Sequence, residues 1–117
     1  MLVKYKKAFE KIAMGLISLM PNCKDSKQLM DIVQHYEQTP NWQLYLWKMD
    51  DEFVGAIGVV VTDEVATIQH ISIIPTYHGE GITAAMLEEL RALGQYASLH
   101  YNDETAPYLQ HYLSNEE

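Results

Sequence analysis

Cysteine occurs once in these 117 residues, at Cys23. That excludes an internal disulfide and any cysteine-based metal site. Cations are scarce too: 8 Lys and Arg stand against 16 Asp and Glu, a formal charge of −8. Holding nucleic acid takes clustered Lys and Arg, so a nucleic-acid partner is excluded. An acidic surface attracts cationic ligands such as amines, although its ordinary role is solubility. No apolar run approaches the ~20 residues of a membrane span, so no membrane partner is expected. Lys4, Lys6 and Lys7 are followed by Glu10 and Lys11 instead of an apolar stretch, so no secretory signal is read and a cytoplasmic location is expected. His35, His70, His78, His100 and His111 lack the spacing that gathers ligands on one face, and no metal is expected.

What is present fits one globular domain over residues 1–117. Residues 2–5 read as a short leading strand. Residues 6–20 have a helical period, with Phe9, Ile12, Ala13, Leu16 and Ile17 on one stripe. Pro21 and Asn22 end it. A second helix fits 26–37, with Asp25 as N-cap, Gln28 at capping-box distance, and Leu29, Ile32, Val33 and Tyr36 inward. Three strands follow at 42–48, 53–61 and 65–74. The turns between them, Asp50-Asp51 and Thr62-Asp63-Glu64, are short enough to require antiparallel pairing. Gly55 and Gly58 within the middle strand indicate a bulge, or a neighbour packed against the backbone. A third helix at 83–93 is capped by Gly94. Residues 97–101 form a strand parallel to the one before that helix. A last helical turn or two fits 104–113, with Pro107 near its start. The expected fold class is α+β, with a mixed, mostly antiparallel sheet in the order β-α-α-β-β-β-α-β-α.

The strongest chemical signal lies in residues 71–87. The apolar run Ile71-Ser72-Ile73-Ile74 ends at Pro75, Thr76-Tyr77-His78-Gly79-Glu80-Gly81 follows, and Ile82-Thr83-Ala84-Ala85-Met86-Leu87 forms helix. Such a turn aims unpaired amides and the positive end of the helix dipole outward, a setting for phosphate. It also occurs as a plain strand-to-helix connection with no ligand. The order strand, Pro, loop, Gly, Ile, helix resembles the acetyl-CoA pyrophosphate loop of the GCN5-related N-acetyltransferases (GNAT). Gly81 matches the family's first glycine and Ile82 its apolar anchor. His78 stands where the family has Arg or Gln, Thr83 replaces a small residue, and Glu80 adds negative charge.

The chain also resembles the RibT-type acetyltransferase-like proteins encoded beside riboflavin-synthesis genes. Residues 5–16 (Tyr5-Lys6-Lys7-Ala8-Phe9-Glu10-Lys11-Ile12-Ala13-Met14-Gly15-Leu16), Leu46-Trp47-Lys48, Val54-Gly55-Ala56-Ile57-Gly58-Val59 and His70-Ile71-Ser72 carry that likeness. It implies the GNAT layered fold, abbreviated at the C-terminus by the final pair of strands, and an acetyl-CoA site. By the same resemblance, a bulge before the loop frees backbone N–H groups at Ile71, Ser72 and Ile73 for the thioester and pantetheine. His78, Gly79, Glu80, Gly81, Ile82 and Thr83 form the phosphate loop, and Asn102 follows the next strand as a further cofactor contact.

For catalysis, His70 is the candidate general base for a small-amine acceptor. Its alternative is a half-buried histidine bonded across the sheet. The family's thiolate-protonating tyrosine falls on Leu109 in strict register, and a one-residue shift presents Tyr108, with Tyr112 nearby. A non-catalytic CoA-binding or scaffolding module is therefore the competing reading. The open edge of the strand at 97–101 makes a homodimer the expected assembly, if any forms.

Overall fold

The computed structural model describes residues 1–93 and 95–113. Five strands form one sheet in the order β1 (Leu2–Lys4), β2 (Trp42–Met49), β3 (Glu52–Thr62), β4 (Val65–Ile73) and β5 (Ser98–Tyr101). The first three pairings are antiparallel and the last, β4 with β5, is parallel. The fold class is thus the expected α+β with a mostly antiparallel sheet. Both hairpin turns are built without glycine. Asp50 and Asp51 have φ of 50° and 67°, and Asp63 and Glu64 have 52° and 68°. Two successive positive-φ residues match the right-handed strand twist, and aspartate tolerates that region better than most residues.

Among the described residues four helices cover the sheet: α1 (Glu10–Ile17), α2 (Ser26–Gln38), α3 (Ile82–Ala92) and α4 (Ala106–Leu109). A 3-10 turn at Lys7–Phe9 precedes α1, so the helix starts later than its periodicity suggests. Ala13, Leu16 and Ile17 face inward, while Ile12, at the margin of that face, is exposed, a correction to the expected stripe. In α2 the Asp25 carboxylate accepts from the Gln28 amide at 3.0 Å, the expected N-cap. Leu29, Val33 and Tyr36 are buried beneath it, and Ile32 is partly covered. Gly94, expected to cap α3, lies outside the described residues.

Two cores lie on opposite faces of the sheet. Under α1 and α2 pack Leu44, Leu46 and Ala56; under α3 and α4 pack Tyr45, Trp47, Ile57 and Ile71, against Leu90 and Leu109 of those helices. Burial on both faces explains why β3 reads as an almost unbroken apolar run. β3 carries the expected irregularity beside Gly55: Trp47 pairs with Gly55 and Lys48 with Phe53, leaving Val54 as the extra residue. A second bulge falls in β4. Gly58 pairs with His70 and Val59 with Ile68, leaving Gln69 of β4 as the extra residue. Gly58 answers to the other explanation, close approach. A Cβ there would overlap the Tyr36 hydroxyl and ring.

Candidate functional site

Parallel pairing of β4 with β5 stops at Ile68 opposite Tyr101, so β4 runs on to Ile73 without β5 beside it. Ile74 donates its amide to Val54 O at 2.9 Å. Strand alternation then directs the N–H and C=O groups of Ile71 and Ile73 away from β3, toward the open side. Side-chain hydrogen bonds fix the point of divergence. Thr105 Oγ1 donates to Ile68 O at 2.9 Å, the Thr105 amide donates to Asn102 Oδ1 at 2.9 Å, and Asn102 Nδ2 donates to Gln69 Oε1 at 3.3 Å. Thr105 is fully buried.

At the end of β4, a 3-10 turn at Pro75–Tyr77 carries the chain into the glycine loop. His78 lies over the strand end, its Nε2 2.8 Å from Ile73 O, a contact that satisfies the carbonyl when Nε2 carries the proton. Gly81 is the N-cap of α3 at φ 76°, where a side chain would be strained, and no side chain caps the helix. The first α3 hydrogen bond runs from Ala85 N to Gly81 O at 3.1 Å. The amides of Ile82, Thr83 and Ala84 precede it and have no helical partner. Space in front of Gly79 and Gly81 is open, with no atom within 4 Å of where a Cβ would sit.

These elements border one cleft of about 350 Å³. Among the expected residues, Ile71, Ser72, Ile73, His78, Gly79, Gly81, Ile82, Thr83 and Tyr108 line it; Glu80, Asn102 and His70 do not. Asn102 instead organises the strand divergence. Glu80 is exposed in the loop. His70 packs on the opposite side of β4 from Ile71, with Nδ1 2.6 Å from the Tyr36 hydroxyl. Burial pushes its pKa down to about 4, and burial raises that of Tyr36. A neutral imidazole accepting from a protonated phenol satisfies both groups.

Tyr112, Leu19 and Met20 also line the cleft, without a role assigned from the sequence. The signal for Tyr112 was its i, i+4 spacing from Tyr108, which places both on one side of a helical turn. Leu109, between them, is fully buried in the core. Ser72 Oγ is buried and has no hydrogen-bond partner among the described residues. Among the described residues no cluster of three His, Cys, Asp or Glu is arranged to hold a metal, and no helix is long and apolar enough to cross a membrane.

A model of the acetyltransferase (GNAT) family matches residues 13–110. An uncharacterized N-acetyltransferase from the lysA 3' region of Bacillus methanolicus is 44% identical over 111 residues, spanning 94% of this chain and 92% of that protein. The chain belongs to the GNAT acetyltransferase family. Solved structures agree on the fold. Aminoglycoside N-acetyltransferase AAC(6')-Iy in complex with CoA superposes with a TM-score of 0.79 at 10% identity, covering 100% of this chain and 89% of that one. A ribosomal-protein-alanine N-acetyltransferase from Brucella melitensis biovar Abortus 2308 gives 0.76 at 15% identity, covering 100% and 94%.

Proposed function

We propose that the protein is an acetyl-CoA-dependent N-acetyltransferase acting on a small amine. The observation that carries this reading is the continuity of the cleft: the open edge of β4 leads directly to the free amides behind Gly81. Residues present fit the cofactor. The Gly81–Thr83 backbone and the α3 dipole suit pyrophosphate, and the outward groups of Ile71 and Ile73 suit an extended amide-bearing arm. Acetyl-CoA would supply an acetyl group activated as a thioester.

The chain's own contributions follow from placement. A fixed N–H at Ile71 or Ile73 stabilises negative charge developing on a carbonyl oxygen. Tyr108, in the cleft and half-exposed, donates a proton to the leaving sulfur. His70 serves in this account as a structural partner of Tyr36 and no longer as the base, since it lies across the strand and burial keeps it neutral. One observation favours the competing CoA-binding module without catalysis: no carboxylate lines the cleft among the described residues.

The RibT-type resemblance supports an association with riboflavin metabolism, and a cytoplasmic location places the protein with the acetyl-CoA pool. The outer edge of β5 supports a homodimer. The test of function is thiol release from acetyl-CoA with a panel of small amines, compared between wild type and Gly81→Glu. Amine-dependent release in the wild type alone supports transfer. Cofactor binding without release against any amine supports the binding module.

A further inference from the structure

We infer that the acceptor is a weakly basic aromatic amine, its nitrogen unprotonated at neutral pH, held against the Tyr108–Tyr112 face of the cleft. The inference rests on the N-acetyltransferase reading and narrows it. Three observations lead to it.

The first is charge. Among the described residues, no Asp, Glu, Lys or Arg lines the cleft. An ammonium group held there would find no carboxylate of the lining to pair with. Polycationic acceptors are disfavoured most. The carboxylates that act on a cleft side chain do so at Tyr77, whose phenol pKa is raised first by burial and then by Glu52, Asp50 and Glu80. Tyr77 belongs to the loop beside the phosphate position. Glu104 exerts its influence on Cys23, outside the lining.

The second is the scarcity of groups to remove a proton. The titratable side chains of the lining are Tyr77, His78, Tyr108 and Tyr112. His78 donates Nε2–H to Ile73 O, which leaves Nδ1 as the one imidazole acceptor of the lining, in the loop assigned to pyrophosphate. His70 is paired with Tyr36 on the other face, and its desolvation makes it a poor proton acceptor. An alkylammonium with a lysine-like pKa is free base in only about one molecule in a thousand at neutral pH. An amine conjugated to an aromatic ring delocalises its lone pair and arrives already deprotonated.

The third is shape. Tyr108 and Tyr112 are 41% and 49% exposed, and Leu19 is 38% exposed, all in the same cleft. Two tyrosines one helical turn apart offer an aromatic ring an offset or edge-on partner.

The transfer balances without an added base. The amine nitrogen forms a bond to the acetyl carbon as the carbon–sulfur bond breaks. Nitrogen gives up one proton and sulfur gains one, exchanged through Tyr108 and solvent. The products are an amide and free CoA.

The test pairs an aniline with a benzylamine of matched substitution. With acetyl-CoA, the aniline should show at least a tenfold higher kcat/KM at pH 7 and a flat profile from pH 7 to 9. The benzylamine should gain about tenfold per pH unit as its free base accumulates. Independently of turnover, the aniline should raise the melting temperature of the CoA-loaded protein, and Tyr112→Ala should abolish that rise. Leu19→Glu, at a partly exposed position, should narrow the aniline preference by supplying a carboxylate. Preference for benzylamine or a polyamine at pH 7 with a flat profile overturns the acceptor class while leaving the transferase reading intact. Release with neither amine, together with no aniline-dependent melting shift, also overturns it. A failure of acetyl-CoA itself to shift the melt removes the transferase reading as well.

Discussion

Thr105 Oγ1 donates a 2.9 Å hydrogen bond to the carbonyl of Ile68, the last β4 residue paired with β5. The bond satisfies a buried carbonyl at the point where the two strands part. With Asn102 and Gln69 it holds the gap into which the cleft opens. The opening of the cleft is thus held by side chains that do not line it.

Thr105→Val keeps the shape and deletes the donor. Stranding the Ile68 carbonyl should destabilise the protein by about 1–3 kcal/mol, read as a lower urea midpoint. Thr105→Ser should recover most of that loss. Recovery by Val instead would show that packing, and not the hydrogen bond, sets the divergence.

His70 links stability to pH. Its folded-state pKa of about 4 lies below the ordinary histidine value of 6.5. Above pH 6.5 neither state is protonated and the full stability is present. As pH falls toward 4 the unfolded chain takes up a proton that the folded chain resists, so stability is lost. The loss attributable to this residue approaches about 3 kcal/mol. Urea titrations from pH 7.5 to 4 should show a steeper decline in wild type than in His70→Gln. Parallel declines would place the sensitivity elsewhere.

Gly58 and Tyr36 occupy each other's space. Gly58→Ala should destabilise by about 1–3 kcal/mol through overpacking, and Tyr36→Phe separately through loss of the bond to His70. Since the first clash is with the Tyr36 hydroxyl, the double variant should be less destabilised than the sum of the two. Simple additivity would contradict the contact.

Tyr108 and Leu109 separate chemistry from packing. Tyr108→Phe should lower kcat by about a hundredfold, within the range for a lost general acid, with little change in melting temperature. Leu109→Tyr should unfold the protein, because Leu109 is fully buried. Unchanged kcat in Tyr108→Phe would pass the role to Tyr112.

The legible parts of the chain were those written in local pattern. Alternation and short polar turns gave the three-strand meander, and Asp25 with Gln28 marked the start of α2. The run from Ile71 to Leu87 gave the strand, loop and helix that border the cleft. The rest depends on contacts distant in sequence. Gln69 is a bulge residue because Ile68 and His70 are both held in register by β3. Thr105 matters through a carbonyl 37 positions earlier. Ile12 lies at the margin of the helical stripe, and only the seating of α1 on the sheet leaves it exposed. Only the packing of Leu109 decides that Tyr108 and Tyr112 face the cleft.

The central claim is that the cleft holds acetyl-CoA with its phosphates at the Gly81 helix start. Thermal melts with and without millimolar acetyl-CoA test it most directly, since a ligand at a hundred times its Kd adds about 2.7 kcal/mol to the folded state. A clear rise in wild-type melting temperature, absent in Gly81→Glu, is the predicted result. No rise in the wild type, or an equal rise in the variant, would contradict the account.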